Sequence, residues 1–163
     1  MPIDTKKVIR RKLRFHTLDE MVAEAERIVH AEREGRLTRL GNWTVGQNFT
    51  HIAAFMDYGY DGFPEVISRP PWFVKLMFKV MKNRFLTKGF PQGLFIPKVP
   101  GGTTGVEDIP SDQALARLRA AAQRMAAQAP PIPSPAMGPL SHAETIQFGL
   151  RHAELHMGFL VPG

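Results

Sequence analysis

Thr44-Val45-Gly46-Gln47-Asn48-Phe49-Thr50-His51-Ile52-Ala53 is the stretch whose reading decides the fold. A hydroxyl at the N-cap position with Gln three residues later is a capping box, in which two side chains satisfy the orphan backbone donors of a helix start. Val45, Phe49, Ile52, Ala53 and Met56 then recur at helical spacing, so the segment predicts a core-facing amphipathic helix running to about Tyr60. The same grammar is found upstream. Thr17-Leu18-Asp19-Glu20 opens a helix that Gly35 ends, with Leu18, Met21, Val22, Ala25, Ile28 and Val29 as its apolar stripe. The short connection between the two predicts antiparallel neighbours.

Downstream, Pro70 and Pro71 start a third helix to about Leu86. Trp72, Phe73, Val74, Leu76, Met77, Phe78, Val80, Met81, Phe85 and Leu86 leave it only a narrow stripe of Lys75, Lys79 and Lys82. A helix apolar nearly all round predicts burial in its own domain or in a homodimer contact. An interfacial membrane helix is the less favoured alternative. Residues 89–110 carry Gly89, Pro91, Gly93, Pro97, Pro100, Gly101, Gly102, Gly105 and Pro110, which excludes a long helix and marks a connector that either covers a pocket or is disordered. A helix from Ser111, with Leu115, Leu118, Ala122 and Met125 inward, stops at Pro130 and Pro131. The Pro-rich linker 130–139 reads as a stiff turn, and Ser141-His142-Ala143-Glu144 caps a last helix to about Leu160. Four long amphipathic helices, a hydrophobic crossover helix and no clear paired strands predict a single all-α helical-bundle domain over 1–163. The crossover is long enough for an up-down-down-up order.

Of 163 residues 44% are hydrophobic and 22% charged, the composition of an ordinary globular domain. No cysteine is present, which excludes disulfides, a thiolate nucleophile and cysteine metal ligands, so any metal must use His, Asp or Glu. The net charge of +6 is mainly an N-terminal arm, residues 1–15, where Lys6, Lys7, Arg10, Arg11, Lys12 and Arg14 stand against Asp4. Without a helix-turn-helix, RNP or zinc-finger pattern beside it, this arm predicts a solvated basic edge and no nucleic-acid partner. No uncharged run reaches the roughly 18 residues needed to cross a bilayer, and the start lacks a signal peptide's features, so the expected location is cytoplasmic.

The chemistry-bearing constellation is His152 and His156, an i, i+4 pair projecting from one helix face. Two neutral imidazoles there can share one ion, and His51 on the capped second helix can supply a third. Spacing alone leaves two ordinary surface histidines as the alternative. Glu154 lies about 200° round the helix from His152, so the pattern is not that of a zincin. His142 lies about 80° off the ligand face and is expected in solvent, and His16 and His30 outside the site.

Asn42-Trp43-Thr44 through His51-Ile52-Ala53 resembles the Trp-x-x-x-x-x-x-x-His helix of the DinB/YfiT-like superfamily. Ser134-Pro135-Ala136-Met137-Gly138-Pro139-Leu140-Ser141 followed by Leu150-Arg151-His152-Ala153-Glu154-Leu155-His156-Met157-Gly158 resembles that superfamily's His-x-x-x-His segment. With Arg10-Arg11-Lys12-Leu13-Arg14-Phe15, the likeness is to a branch of unknown function. It implies an up-down-down-up four-helix bundle with a divalent metal, most often zinc or nickel, held by His51, His152 and His156. It also implies an enzyme that activates a small substrate, a low-molecular-weight thiol or water, for transfer or hydrolysis. Two positions depart from relatives of this branch: Ser134 stands where His precedes Pro, and Phe159 where Gln is common. Tyr58, two turns beyond His51, and Thr145, two turns before His152, are the candidate catalytic side chains. Gln47 and Asn48 are candidates to orient an imidazole, and Gly149 leaves room beside the ion. A non-catalytic, metal-stabilised scaffold is the alternative reading, and attachment to a membrane surface through the arm and the aromatic helix a second.

Overall fold

A computed structural model describes residues 2–96 and 99–163, and Pro97 of the long connector therefore lies outside the described residues. The elements run α1 (Leu18–Arg33), β1 (Leu37–Arg39), α2 (Val45–Asp61), α3 (Glu65–Ser68), α4 (Trp72–Lys88), α5 (Ser111–Ala127), α6 (His142–Met157) and β2 (Leu160–Pro162). A 3-10 turn at Pro100–Gly102 interrupts the connector. The described residues are mostly helical, with one small sheet among them.

Thr44 with Gln47 and Ser141 with Glu144 form complete capping boxes at α2 and α6. At α1 the box is open: Thr17 Oγ1 accepts from Glu20 N, but the Glu20 carboxylate reaches back past Thr17 to accept from His16 N. The stripes read from the sequence meet in one core. Met21, Ala25 and Ile28 of α1, Val45, Phe49, Ile52 and Met56 of α2, Leu118 and Met125 of α5, and Leu150 and Met157 of α6 are all buried in it. At about 25 cal/mol per Å² of apolar surface removed from water, each such large side chain contributes about 1.5–3 kcal/mol.

Four expectations need correcting. First, α1 and α2 are not packed neighbours: α5 and α6 each pack against both, so α1 and α2 face one another across the core. Residues 34–44 give the chain ample reach to cross that diagonal, at about 3.3 Å for each residue. Second, α6 ends at Met157 rather than near Leu160, and Leu160–Pro162 instead pairs antiparallel with Leu37–Arg39. Three residues on each strand are too few to show an alternating pattern, which is why the pairing was not legible. Third, α4 is not buried. Only Phe85 and Leu86 near its C-terminal end are fully covered, in a second cluster with Phe90, Met137, Phe148 and Leu155. The N-terminal half of α4 extends beyond the cover that α6 provides, leaving Trp72, Phe73, Leu76, Met77 and Val80 exposed.

Fourth, the basic arm is not simply solvated. Arg11 N donates to the Gly158 carbonyl at 2.9 Å, and the Arg11 guanidinium pairs with Glu24 at 2.7 Å. Glu154, on the side of α6 away from the histidines, is buried. It accepts from Phe15 N at 2.7 Å and pairs with Arg151 at 3.2 Å and Arg14 at 3.6 Å. Arg10 Nη1 lies 3.3 Å from the Glu154 carbonyl oxygen. The Glu154 carbonyl also accepts from Gly158 N, whereas the Met157 carbonyl, which the end of α6 leaves without a helical partner, lies 3.4 Å from Arg11 Nη2.

The connector after α4 returns along α2. Thr44 Oγ1 donates to Asp108, and the Thr50 hydroxyl accepts from Glu107 N at 3.0 Å. Gly46 makes this approach possible, since a Cβ there would lie 1.9 Å from the Ile109 carbonyl oxygen. Replacing Gly46 by Ala must therefore move the 107–109 backbone off α2. Gly46→Ala is expected to lower stability by about 1–3 kcal/mol, the usual cost of overpacking, read as a reduced midpoint in urea denaturation followed by circular dichroism.

Candidate metal centre

Two helices bring the three histidines together. His51 stands on the second turn of α2, and His152 and His156 stand one turn apart near the end of α6. Their ring centroids form a near-equilateral triangle with sides of 4.8, 4.5 and 4.6 Å. One potential ligand nitrogen from each lies within 4.8 Å of the others. His51 and His152 are buried and His156 half-buried.

The tautomer of His51 follows from its partner. Its Nδ1 lies 2.7 Å from the Thr104 carbonyl oxygen, which can only accept, so Nδ1 carries the proton and Nε2 presents a lone pair to the cluster. That Nε2 is 3.1 Å from His152 Nε2. Two nitrogens bound tetrahedrally at about 2.0–2.1 Å from one zinc ion stand about 3.3–3.4 Å apart, so the rings already hold the separation of shared ligands. His152 Nδ1 is buried with no hydrogen-bond partner among the described residues. A purely structural histidine at such a depth is expected to have both ring nitrogens satisfied, whereas the polar neighbours of this ring are other imidazoles.

Burial fixes the charge state. It lowers the proton affinity of His51, and that of His152 and His156 well below the ordinary imidazole range, because a charged ring loses its hydration there. Mutual repulsion adds to this, with the Arg10 guanidinium acting on His156 as well. Only at His51 is burial partly opposed, by the bond to Thr104. All three rings are therefore neutral near pH 7, the state in which imidazole binds a metal.

Aromatic rings wall the cluster. Trp43 stacks on His156 at 5.3 Å between centroids and meets His51 edge-on at 5.2 Å, while Phe55 stacks on His152 at 3.9 Å. Trp43 also lines a cavity of about 210 Å³ with Pro100, Gly101, Thr103, Gly105 and Val106 of the connector. Residues 100–106 of the connector thus lie beside the cluster.

The other candidates fall into place unevenly. Tyr58 does not meet the histidines, and its hydroxyl donates to Thr104 Oγ1 at 2.9 Å, steadying the residue whose carbonyl holds His51. Thr145 is not brought to the cluster: its hydroxyl donates to the Ser141 carbonyl at 3.0 Å, and it lines a separate cavity with Phe55, Pro130 and Phe148. Gln47 and Asn48 turn to the helix start, Gln47 into the capping box and Asn48 Nδ2 to the Thr44 carbonyl. Gly149 faces the Met125 sulfur and the Met56 methyl group rather than the histidines. His142, expected in solvent, is half-buried with Nε2 2.6 Å from the Met125 carbonyl oxygen, while His16 and His30 are exposed and outside the cluster. Thr104 is not identifiable from the sequence. Nothing in the composition of a Gly/Pro-rich loop marks one carbonyl as a hydrogen-bond acceptor for a histidine.

Since the folded rings bind protons more weakly than an unfolded chain's, whose imidazoles titrate near about 6.5, protonation favours unfolding. For the metal-free protein this predicts full stability above about pH 6.5 and a progressive loss as pH falls from there toward the lowered folded values. Urea midpoints at about pH 7.5 and about pH 5.5 should differ more for the wild type than for His152→Leu; equal differences would contradict the buried neutral assignment.

No curated protein and no solved structure matches the chain. One family model does, described as "Protein of unknown function (DUF1569)", over residues 7–163. Because the match spans the helices that carry all three histidines, the chain belongs to the DUF1569 family.

Proposed function

We propose that this is a divalent-metal protein of the DinB/YfiT-like type. In this reading α1, α2, α5 and α6 form an up-down-down-up four-helix bundle, α4 lies in the crossover, and His51, His152 and His156 hold zinc or nickel at one site. The observation that carries the proposal is the convergence of three neutral imidazoles with ligand nitrogens within 4.8 Å of one another. A bound divalent ion would serve as a Lewis acid that lowers the pKa of a coordinated thiol or water. The resemblance of the Trp43–His51 and His152–His156 motifs favours a small thiol as substrate, with transfer or hydrolysis as the reaction.

The chain's own groups have definable parts in this. The Thr104 carbonyl accepts a hydrogen bond from His51 Nδ1–H and so keeps the proton off Nε2, which raises ligand basicity and fixes the ring plane. Tyr58 is a positioning residue acting through Thr104. Trp43 and Phe55 exclude water from two sides of the triad and narrow the approach to it. The cavity beside Trp43 supplies space for a substrate of a few heavy atoms.

Burial of His51 and His152 favours a second reading, a closed metal brace between α2 and α6 with no turnover. The two readings separate on whether a coordination position is open.

Metal analysis of purified protein should find about one divalent ion per chain, with His51→Ala and His156→Ala losing it. Equal content in all three proteins would remove the basis of the proposal. In the cobalt-substituted protein, a small thiol should generate a sulfur-to-metal absorption band if a position is open, and no band if the site is a closed brace. Tyr58→Phe should weaken metal retention by no more than about tenfold, as expected of a group one residue removed from the ligands.

A further inference from the structure

The solvent face of α4 is its apolar face. Trp72 is 75% exposed, Phe73 59%, Leu76 53% and Val80 76%, and Met77 is exposed beside them. At about 100° per residue these five fall within one arc of about 140°, opposite the Phe78 and Phe85 side that packs toward α6. An ordinary surface helix presents the reverse arrangement. The borders of the arc are cationic. Lys75 and Lys79 lie along one edge, with Arg84 and Lys88 toward the other, and α4 from Trp72 to Lys88 contains no Asp or Glu. Lys82 is turned inward to pair with Glu144 at 2.8 Å.

A second cationic segment adjoins this helix. Gln92, in the loop after α4, has its Nε2 within 3.0 Å of the carbonyl oxygens of Thr5, Lys6 and Val8. The Lys6 side chain also lies against Gly93. The arm thereby brings Lys6 and the almost fully exposed Ile9 next to the loop that leaves the helix.

We propose that this face docks on an anionic lipid bilayer, with α4 lying in the plane of the interface. Trp72, Phe73, Leu76 and Val80 enter the boundary between headgroups and acyl chains, and Lys75, Lys79, Arg84 and Lys88 reach lipid phosphates from either side. Charge complementarity selects this occupant over a second copy of the chain. Two α4 helices packed face to face would oppose lysines and arginines to one another with no carboxylate on either helix to offset them. The helix cannot span the bilayer, as no helix among the described residues is long and apolar enough to cross one. Attachment is peripheral, and it is independent of the histidine cluster on α2 and α6.

The test is co-sedimentation of the full chain with vesicles of phosphatidylcholine alone and of phosphatidylcholine mixed with phosphatidylglycerol. Binding is expected to the mixed vesicles only, weakening as salt is raised. Lys75→Gln/Lys79→Gln should reduce partitioning roughly 25-fold, about fivefold for each lysine. Trp72→Ser/Val80→Ser should abolish it while leaving helical circular dichroism unchanged, since both side chains are already exposed. Equal binding to the two vesicle types, or none to the mixed vesicles, would overturn the proposal. So would a dimer in sedimentation velocity that Trp72→Ser/Val80→Ser dissociates, because that would assign the face to a second copy.

Discussion

Three imidazole rings pressed together inside a helical core bind protons less readily than free ones, because burial disfavours the charged form and, at His152 and His156, neighbouring charge adds to it. That constraint organises the site. His51 and His152 lie out of water, the protonated nitrogen of His51 finds an acceptor, and His51 Nε2 faces His152 Nε2 at 3.1 Å while His152 Nδ1 has no partner among the described residues. Thr104 is the acceptor, and it is available only because residues 103–109 lie flat against α2. That course depends in turn on Gly46 at one point and on Gly105 at another. A Cβ on Gly105 would lie 2.5 Å from the Ala54 Cβ, and its φ of +73° is one that few other residues adopt.

The arginine-rich arm serves the same end of the protein from the other side. Its guanidinium groups and backbone close the last turn of α6, just beyond His156, and Glu154 anchors it from inside. Burial raises the proton affinity of the Glu154 carboxyl, while the Phe15 backbone donor and the Arg14 and Arg10 guanidiniums work against that rise. A buried carboxylate surrounded by arginines is weak evidence for net stability, yet removing one partner leaves an uncompensated charge. The local excess of positive charge is therefore used in part for helix capping, which composition alone could not reveal.

What could be read from the sequence was whatever depends on periodicity and capping. Thr44 and Ser141 mark the starts of the two helices that carry the histidines, and spacing of 3.6 residues put Phe49, Ile52 and Met56 inside with His51 at the edge of the same face. The i, i+4 relation of His152 and His156 is local, and their ring centroids lie 4.6 Å apart. Relations between distant segments were not legible. Whether α1 lies beside α2 or diagonal to it depends on how four stripes of similar width share one core, and no local signal encodes that choice. The three-residue strands, the path of the connector and the outward face of α4 have the same origin: each is settled by what happens to cover a segment. Thr145 shows the limit of helical-wheel reasoning, because a residue two turns from a ligand can face the same side and still line a different cavity.

The bond from His51 Nδ1 to the Thr104 carbonyl joins a core helix to a glycine-rich segment that the Tyr58, Thr50 and Thr44 hydroxyls also hold along α2. By thermodynamic reciprocity, any occupant of the triad that favours this orientation of the His51 ring also favours the closed course of residues 103–109. Any contact that holds that course tightens the occupant by the same factor. Loop order and occupancy are thus one equilibrium seen from two ends, and amide exchange along 103–109 would register what happens at the three nitrogens.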